Sequence, residues 1–256
     1  MFRKALLGAV ALLAGSAVVA SAGPKDDVVA AAKKLADGGN YTWKTTTESA
    51  AQGGFTPGAQ EGKTQKDGLT YTTQQFGDNT IETVRQGDKY AMKFMDAWAS
   101  GAEMAARGGG GGGGGGRGRG GFGGFGANQP LPATQAAEQL AKIPDVTKEG
   151  DAYIGTVTGE AVREFGGRGF GGRRGGGGGA GGAGGQAPPP LKNAKATVKV
   201  WVKDGAISKL QVHSEYGTTN FQGDEVEVNQ TRTTDFTNVG TTKVEIPAEA
   251  KAKLAE

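Results

Sequence analysis

Two glycine-rich blocks divide this chain and decide which residues are available for a packed interior. The first, residues 107–126, contains nine consecutive glycines and then Arg117-Gly118-Arg119-Gly120-Gly121-Phe122-Gly123-Gly124-Phe125-Gly126. The second, residues 166–190, has Phe170 as its lone aromatic residue and ends in Pro188-Pro189-Pro190. Glycine loses more backbone freedom on ordering than any other residue and has no side chain to bury, so neither block offsets the cost of folding. Both are expected to be disordered loops. The segment between them is patterned, so they read as insertions within one fold, a change that loops accept at modest entropic cost. Without the leader described next and the two blocks, roughly 190 residues remain, enough for a single domain over 23–256 with a sizeable core.

The N-terminus predicts the compartment. Arg3 and Lys4 form a basic start, Ala5 to Ala20 an apolar run, and Ala20-Ser21-Ala22 a small-residue cleavage site. This is the pattern of a secretory signal peptide over residues 1–22, cleaved after Ala22, and it implies a periplasmic or extracellular protein. The run is short for a membrane span and no second one follows it. The chain has no cysteine, which excludes disulfides, an acylated-cysteine anchor and thiolate metal chemistry.

Charge is segregated. The formal net charge of +3 falls to +1 without Arg3 and Lys4, and to −5 once Arg107, Arg117, Arg119, Arg168, Arg173 and Arg174 are set aside. An acidic body therefore carries two cationic loops, an arrangement suited to peripheral contact with a membrane or an acidic polymer. The same arginines would equally keep a glycine tract soluble.

The remaining chain reads as strands with helices near both ends. Asp26 or Asp27 caps a helix bearing Val28, Val29, Ala32, Leu35 and Ala36, closed by Gly38-Gly39. Tyr41, Trp43 and Thr45 alternate on one strand and Leu69, Tyr71 and Thr73 on another. Residues 80–85 and 90–95 flank Gln86-Gly87-Asp88-Lys89 as a hairpin that places Tyr90, Met92 and Phe94 on one side. Between the glycine blocks lie a short helix over 133–143 with Thr134 as its candidate cap, a hairpin around Glu149-Gly150-Asp151, and a helical turn over 160–165. Ala196, Val198, Val200 and Val202 alternate with polar partners before an Asp204-Gly205 turn into residues 207–216. A strand from Val226 toward Phe236 and a final helix from Pro247 through Leu254 complete the chain. Hairpin-joined strands predict an antiparallel α+β fold.

Several of these pieces carry a family resemblance. They are the N-terminal helix running into the Tyr41/Trp43 strand, the hairpin from Glu82 to Met95, and the block Glu160-Ala161-Val162-Arg163-Glu164-Phe165. The runs from Ala196 to Leu210 and from Thr234 to Gly240, before Val244-Glu245-Ile246-Pro247, extend it. In this order they resemble the periplasmic lipoprotein-carrier superfamily of the LolA, LolB and LppX/LprG type. The resemblance implies a curved, incompletely closed antiparallel sheet, a half-barrel, with N- and C-terminal helices and an apolar cavity for acyl chains. Trp43, Leu69, Tyr71, Met92, Phe94, Met95 and Trp98 are the candidate lining residues, although large apolar groups at strand spacing are more often plain core. The chain departs from the lipid-anchored members in lacking cysteine, and from the family in its glycine insertions.

Catalytic and metal signals are weak. His213 is the one histidine and alternates onto a polar strand face beside Gln211 and Glu215, with no nucleophile arrangement or second imidazole in the sequence around it. Asp26-Asp27 and Glu225/Glu227 read as a helix start and a solvated strand face. The Arg-Gly-Phe run is compositionally similar to RNA-binding segments, but the leader directs it away from cytoplasmic RNA. The nine glycines have no Gly-Lys-Ser/Thr behind them and form no phosphate loop. The reading is a non-enzymatic protein without cofactor or metal and without nucleic acid as partner. It binds a lipid, a lipoprotein acyl chain or another apolar ligand. The alternative is an envelope protein whose Gly-Arg-Phe loops mediate assembly or anionic-surface binding. Ligand identity and oligomeric state are left open.

Overall fold

The computed structural model describes residues 23–50, 58–77, 79–94, 96–109, 130–165, 189–219 and 223–256. Helix α1 (Pro24–Gly38) leads into five antiparallel neighbours, β1 (Tyr41–Ser49), β2 (Gln60–Thr64), β3 (Thr70–Phe76), β4 (Asn79–Gln86) and β5 (Lys89–Phe94). A short β6 (Ala97–Ser100) then runs into α2 (Gly101–Gly109). After α3 (Pro132–Ala141) come β7 (Val146–Glu149), β8 (Ala152–Thr158), a 3-10 turn (Gly159–Glu164), β9 (Lys192–Lys203), β10 (Ala206–Thr219), β11 (Glu225–Thr237) and α4 (Ala248–Ala255).

All the strands join one 11-stranded sheet in the order β6-β5-β4-β3-β2-β1-β11-β10-β9-β8-β7. The chain meanders outward from β1 to one edge, crosses to the far edge at β7, and meanders back until β11 closes against β1. Every pairing is antiparallel and the edges β6 and β7 do not meet, so the sheet stays open. This α+β sheet with helices at both chain ends is the architecture that the sequence predicts.

Local signals explain the best-defined hairpin. Asp204 and Gly205 have φ of 53° and 73°, the left-handed pair that a two-residue turn needs to match strand twist. It lies between the two long strands β9 and β10, whose alternation Val198, Val200 against Val212, Leu210 is buried on one side.

That side, the inner face, carries the main core. Val28, Ala31, Ala32 and Leu35 of α1 and Ala136 and Leu140 of α3 pack with Tyr41, Trp43, Val198, Val200, Ile207 and Phe236. A second, smaller cluster forms where α4 places Ala250 and Leu254 on Val84, Ala91 and Trp98, with Leu69, Tyr71 and Ile246 at its margin. Register places this second cluster on the opposite, outer face. Trp43 pairs with Gly62, Gly62 with Thr72, Thr72 with Thr83 and Thr83 with Met92, so Val84 and Ala91 point the other way.

Some local readings are corrected. The N-cap of α1 is Gly23, and Asp26 sits inside the first turn, where its carboxylate accepts the Gly23 amide at 3.2 Å. The α3 cap is Leu131 with Pro132 in the first helical position; Thr134 therefore lies within the first turn. β2, β6 and α2 have no counterpart in the sequence reading. β2 lacks apolar alternation because its inner positions are Gln60, Gly62 and Thr64. It exists as the strand that links β1 to β3. The glycine blocks fall outside the described residues apart from their ends, as does the leader.

Candidate ligand face of the sheet

The inner face changes character along the central strands. At one end three aromatic rings cluster around the β1/β11 junction in tilted and edge-on contacts. Tyr41 lies 5.7 Å from Trp43 at an interplanar angle of 51°, and 5.8 Å from Phe236 at 69°. The Tyr41 hydroxyl accepts the Ala133 amide of α3 at 3.4 Å. Burial pushes its pKa up to about 12, with the Ala133 amide and the charge of Arg85 acting weakly the other way.

The Trp43 indole sits against Gly62 of β2. A Cβ added at Gly62 would stand 2.1 Å from Trp43 Cζ2, so only glycine permits this approach. Beyond it, Thr64 and Thr70 satisfy each other at 3.1 Å, and Ile81, Thr83 and Met92 are buried on β4 and β5. Ile81 and Met92 belong to neither helix-packed cluster.

At the other end the inner face turns polar. Thr45 and Thr234 share a hydroxyl contact at 3.0 Å. Next along β11, Arg232 donates to Gln135 Oε1 of α3 at 3.1 Å. Burial lowers its pKa, and no carboxylate of the described residues offsets that cost. Two buried polar atoms have no hydrogen-bond partner among the described residues, Trp43 Nε1 and Ser214 Oγ. Both belong to inward-facing residues.

The candidate lining residues distribute over both faces. Trp43 and Met92 are inward, and Phe94 is in register with them at the end of β5. Leu69, Tyr71 and Trp98 lie in the α4 cluster on the outer face. There the Tyr71 hydroxyl donates to Glu82, which Lys93 approaches at 3.4 Å. Burial, then the Glu82 carboxylate, raises the Tyr71 pKa. Met95 lies outside the described residues. Of the six arginines, Arg107 falls within α2 and Arg117, Arg119, Arg168, Arg173 and Arg174 lie outside the described residues.

His213 occupies the polar outer face as the alternation requires, with Nδ1 at 3.0 Å from Thr231 Oγ1 and Nε2 at 3.1 Å from Glu215 Oε1. It borders a depression lined also by Glu48, Thr197, Lys199 and Gln211. Sequence reasoning missed Arg232 and Ser214. The signal was present: Arg232 is in phase with Val226, Val228 and Phe236, the inward positions of its strand.

Among the described residues, no helix is long and apolar enough to cross a membrane, and no group of three or more His, Asp or Glu is placed to hold a metal ion. No protein-family model matches the chain, and no curated protein matches it. Among solved structures, the chain is similar to LprF from Mycobacterium bovis, at 9% identity and a TM-score of 0.44. The alignment spans 89% of this chain and 97% of that one.

Proposed function

We propose that this is an exported, non-enzymatic binding protein that holds the apolar chain of a lipid or an acylated protein against the inner face of its open sheet. The observation that carries the reading is the inner-face pair Ile81 and Met92. Both are buried, they lie across Thr72 and Thr83 from Trp43 on the same face, and among the described residues they join neither helix-packed cluster. An acyl chain needs an apolar and largely preformed surface, which an open antiparallel sheet offers through alternate side chains of several neighbouring strands. Gly62 adds to it by bringing the Trp43 ring down onto the backbone. The sequence resemblance to lipoprotein carriers and the leader-like N-terminus support the same reading.

Native mass spectrometry of the protein purified from an envelope fraction, with extraction of bound lipid, tests it. A stoichiometric lipid or acylated partner is expected. A clean apo mass, unchanged after incubation with membrane lipids, would overturn the reading and favour the loop-mediated assembly alternative.

A further inference from the structure

The polar end of the inner face holds a cation with no anion beside it among the described residues. Inward positions along β11 are Val226, Val228, Gln230, Arg232, Thr234 and Phe236, so the alternation that buries Phe236 also turns Arg232 inward. Arg232 lies deep in the protein yet retains some accessible surface. Among the described residues its one hydrogen bond goes to the neutral amide oxygen of Gln135. A guanidinium has five N–H donors in a fixed fork, and an amide oxygen leaves most of them unmatched. Buried cations are ordinarily paired with a carboxylate, because an unpaired one is costly to hold out of water.

A second observation falls on the same spot. Ser214 is 1% exposed, and its Oγ has no hydrogen-bond partner among the described residues. Buried hydroxyls in folded proteins are almost always bonded. Register sets Val212 opposite Arg232 and Ser214 opposite Gln230, which puts Ser214 one diagonal step from Arg232, about 7–8 Å between backbones and within reach of a long side chain. Tyr216, the next inward residue of β10, lies in the field of Arg163, itself bound to Glu160. Two donor groups that the described residues do not fully satisfy thus share one end of a face whose other end is apolar.

We propose that Arg232 and Ser214 receive the oxyanion head group, a carboxylate or phosphate, of an amphiphile whose chain lies along the inner face. The proposal rests on the reading of that face as an acyl-chain surface. An arginine fork suits such a group because two of its N–H donors can meet two oxygens in one plane. The Ser214 hydroxyl supplies a further donor.

The competing role for Arg232 is a clamp that fastens α3 to the sheet through Gln135, and one variant separates the two. In R232M the methionine keeps most of the length and loses the charge. Wild-type and R232M full-length protein are titrated with a fluorescent polyunsaturated fatty acid and with its uncharged methyl ester, and the melting temperature of each is recorded with and without inorganic phosphate. The acid is expected to bind wild-type protein about tenfold tighter than the ester, the preference given by a charge-assisted hydrogen bond. R232M should bind both probes with the ester's affinity and melt no lower than wild type, since removing an unpaired buried charge relieves its desolvation. In S214A the acid should weaken a few-fold and the ester not at all. Equal affinity of wild type for acid and ester overturns the proposal and leaves the acyl-chain surface standing. A drop in melting temperature in R232M with parallel loss of both probes overturns it in favour of the clamp. If neither probe binds wild type, the acyl-chain reading fails. The anion site then survives only as a free-anion site, shown by phosphate raising the melting temperature of wild type and not of R232M; without that rise both fall.

Discussion

The two flanks of the sheet use the same alternation to bury opposite faces. Over β8 to β11 and β1, the face carrying Trp43, Val200 and Phe236 is closed by α1 and α3. Over β4 to β6, the face carrying Val84, Ala91 and Trp98 is closed by α4. A strand's period tells which residues travel together, but the helix that docks on it decides which set becomes core. On the α4 flank the outer face is packed, and the inner residues Ile81 and Met92, though buried, join neither helix cluster among the described residues.

The largest expected effect breaks this comparison at its strong side. Leu35 is fully buried between α1 and the inner face, and Leu35→Ala should cost about 4 kcal/mol, near the middle of the range for emptying a buried leucine site. Leu254 is 9% exposed in the last turns of the chain, and Leu254→Ala should cost about half as much. Chemical denaturation midpoints measure both. If the α4 flank unfolds as a separate unit, Leu254→Ala will split the transition, whereas Leu35→Ala will move the main one.

Much of the fold was legible because it rests on short-range signals. The Asp204-Gly205 turn, the Val198/Val200 alternation and the apolar stripe of α1 each specify an element without help from elsewhere. The pairing of Trp43 with Tyr71 and Trp98 as one lining set was beyond such signals. Each is a large aromatic residue on a strand, and only the register through β2, with Gly62 opposite Trp43, shows that they face apart. β2 itself was invisible because Gln60, Gly62 and Thr64 carry no apolar alternation. The polar end of the candidate site was legible in principle from the phase of Arg232, but an arginine among threonines reads as solvated until its strand neighbours are known.

Gly62 is the hinge of the comparison, because it lets the Trp43 ring rest on β2 where the two flanks meet. A methyl group there would overlap the indole. Gly62→Ala is expected to cost about 3 kcal/mol, at the upper end for overpacking, and to shift the indole emission of Trp43. An unchanged spectrum and midpoint would mean that the ring does not occupy this position in solution.

Alkali sharpens the contrast through one tyrosine in each cluster. Tyr41 ionises at about 12 in the folded protein because burial favours the neutral phenol, against about 10 in an unfolded chain. Below pH 10 both states keep the proton and stability is unaffected by this group. Between pH 10 and 12 the unfolded state releases it first, so stability falls as pH rises, by on the order of 2 to 3 kcal/mol across the window. Tyr71 is raised in the same direction but is only half-buried, so its share is smaller. Stability profiles from pH 9 to 12 should therefore flatten more in Tyr41→Phe than in Tyr71→Phe. The reverse order would place the tighter core under α4.

The smallest expected effect compares two ion pairs on the outer face. Lys44 and Glu61 meet at 2.7 Å across β1 and β2, with about half of each side chain in water, where screening and lost rotamer freedom cancel most of the attraction. Glu82 and Lys93 meet at 3.4 Å across β4 and β5, less exposed, with Glu82 also accepting the Tyr71 hydroxyl at the margin of the α4 cluster. Glu61→Gln should leave the denaturation midpoint where it is at physiological salt. Glu82→Gln should lower it, because the carboxylate there serves a half-buried hydroxyl and a lysine together. Equal shifts in the two variants would mean that α4 does not shield its margin of the sheet, and the difference between the flanks would then reside in α1 and α3 alone.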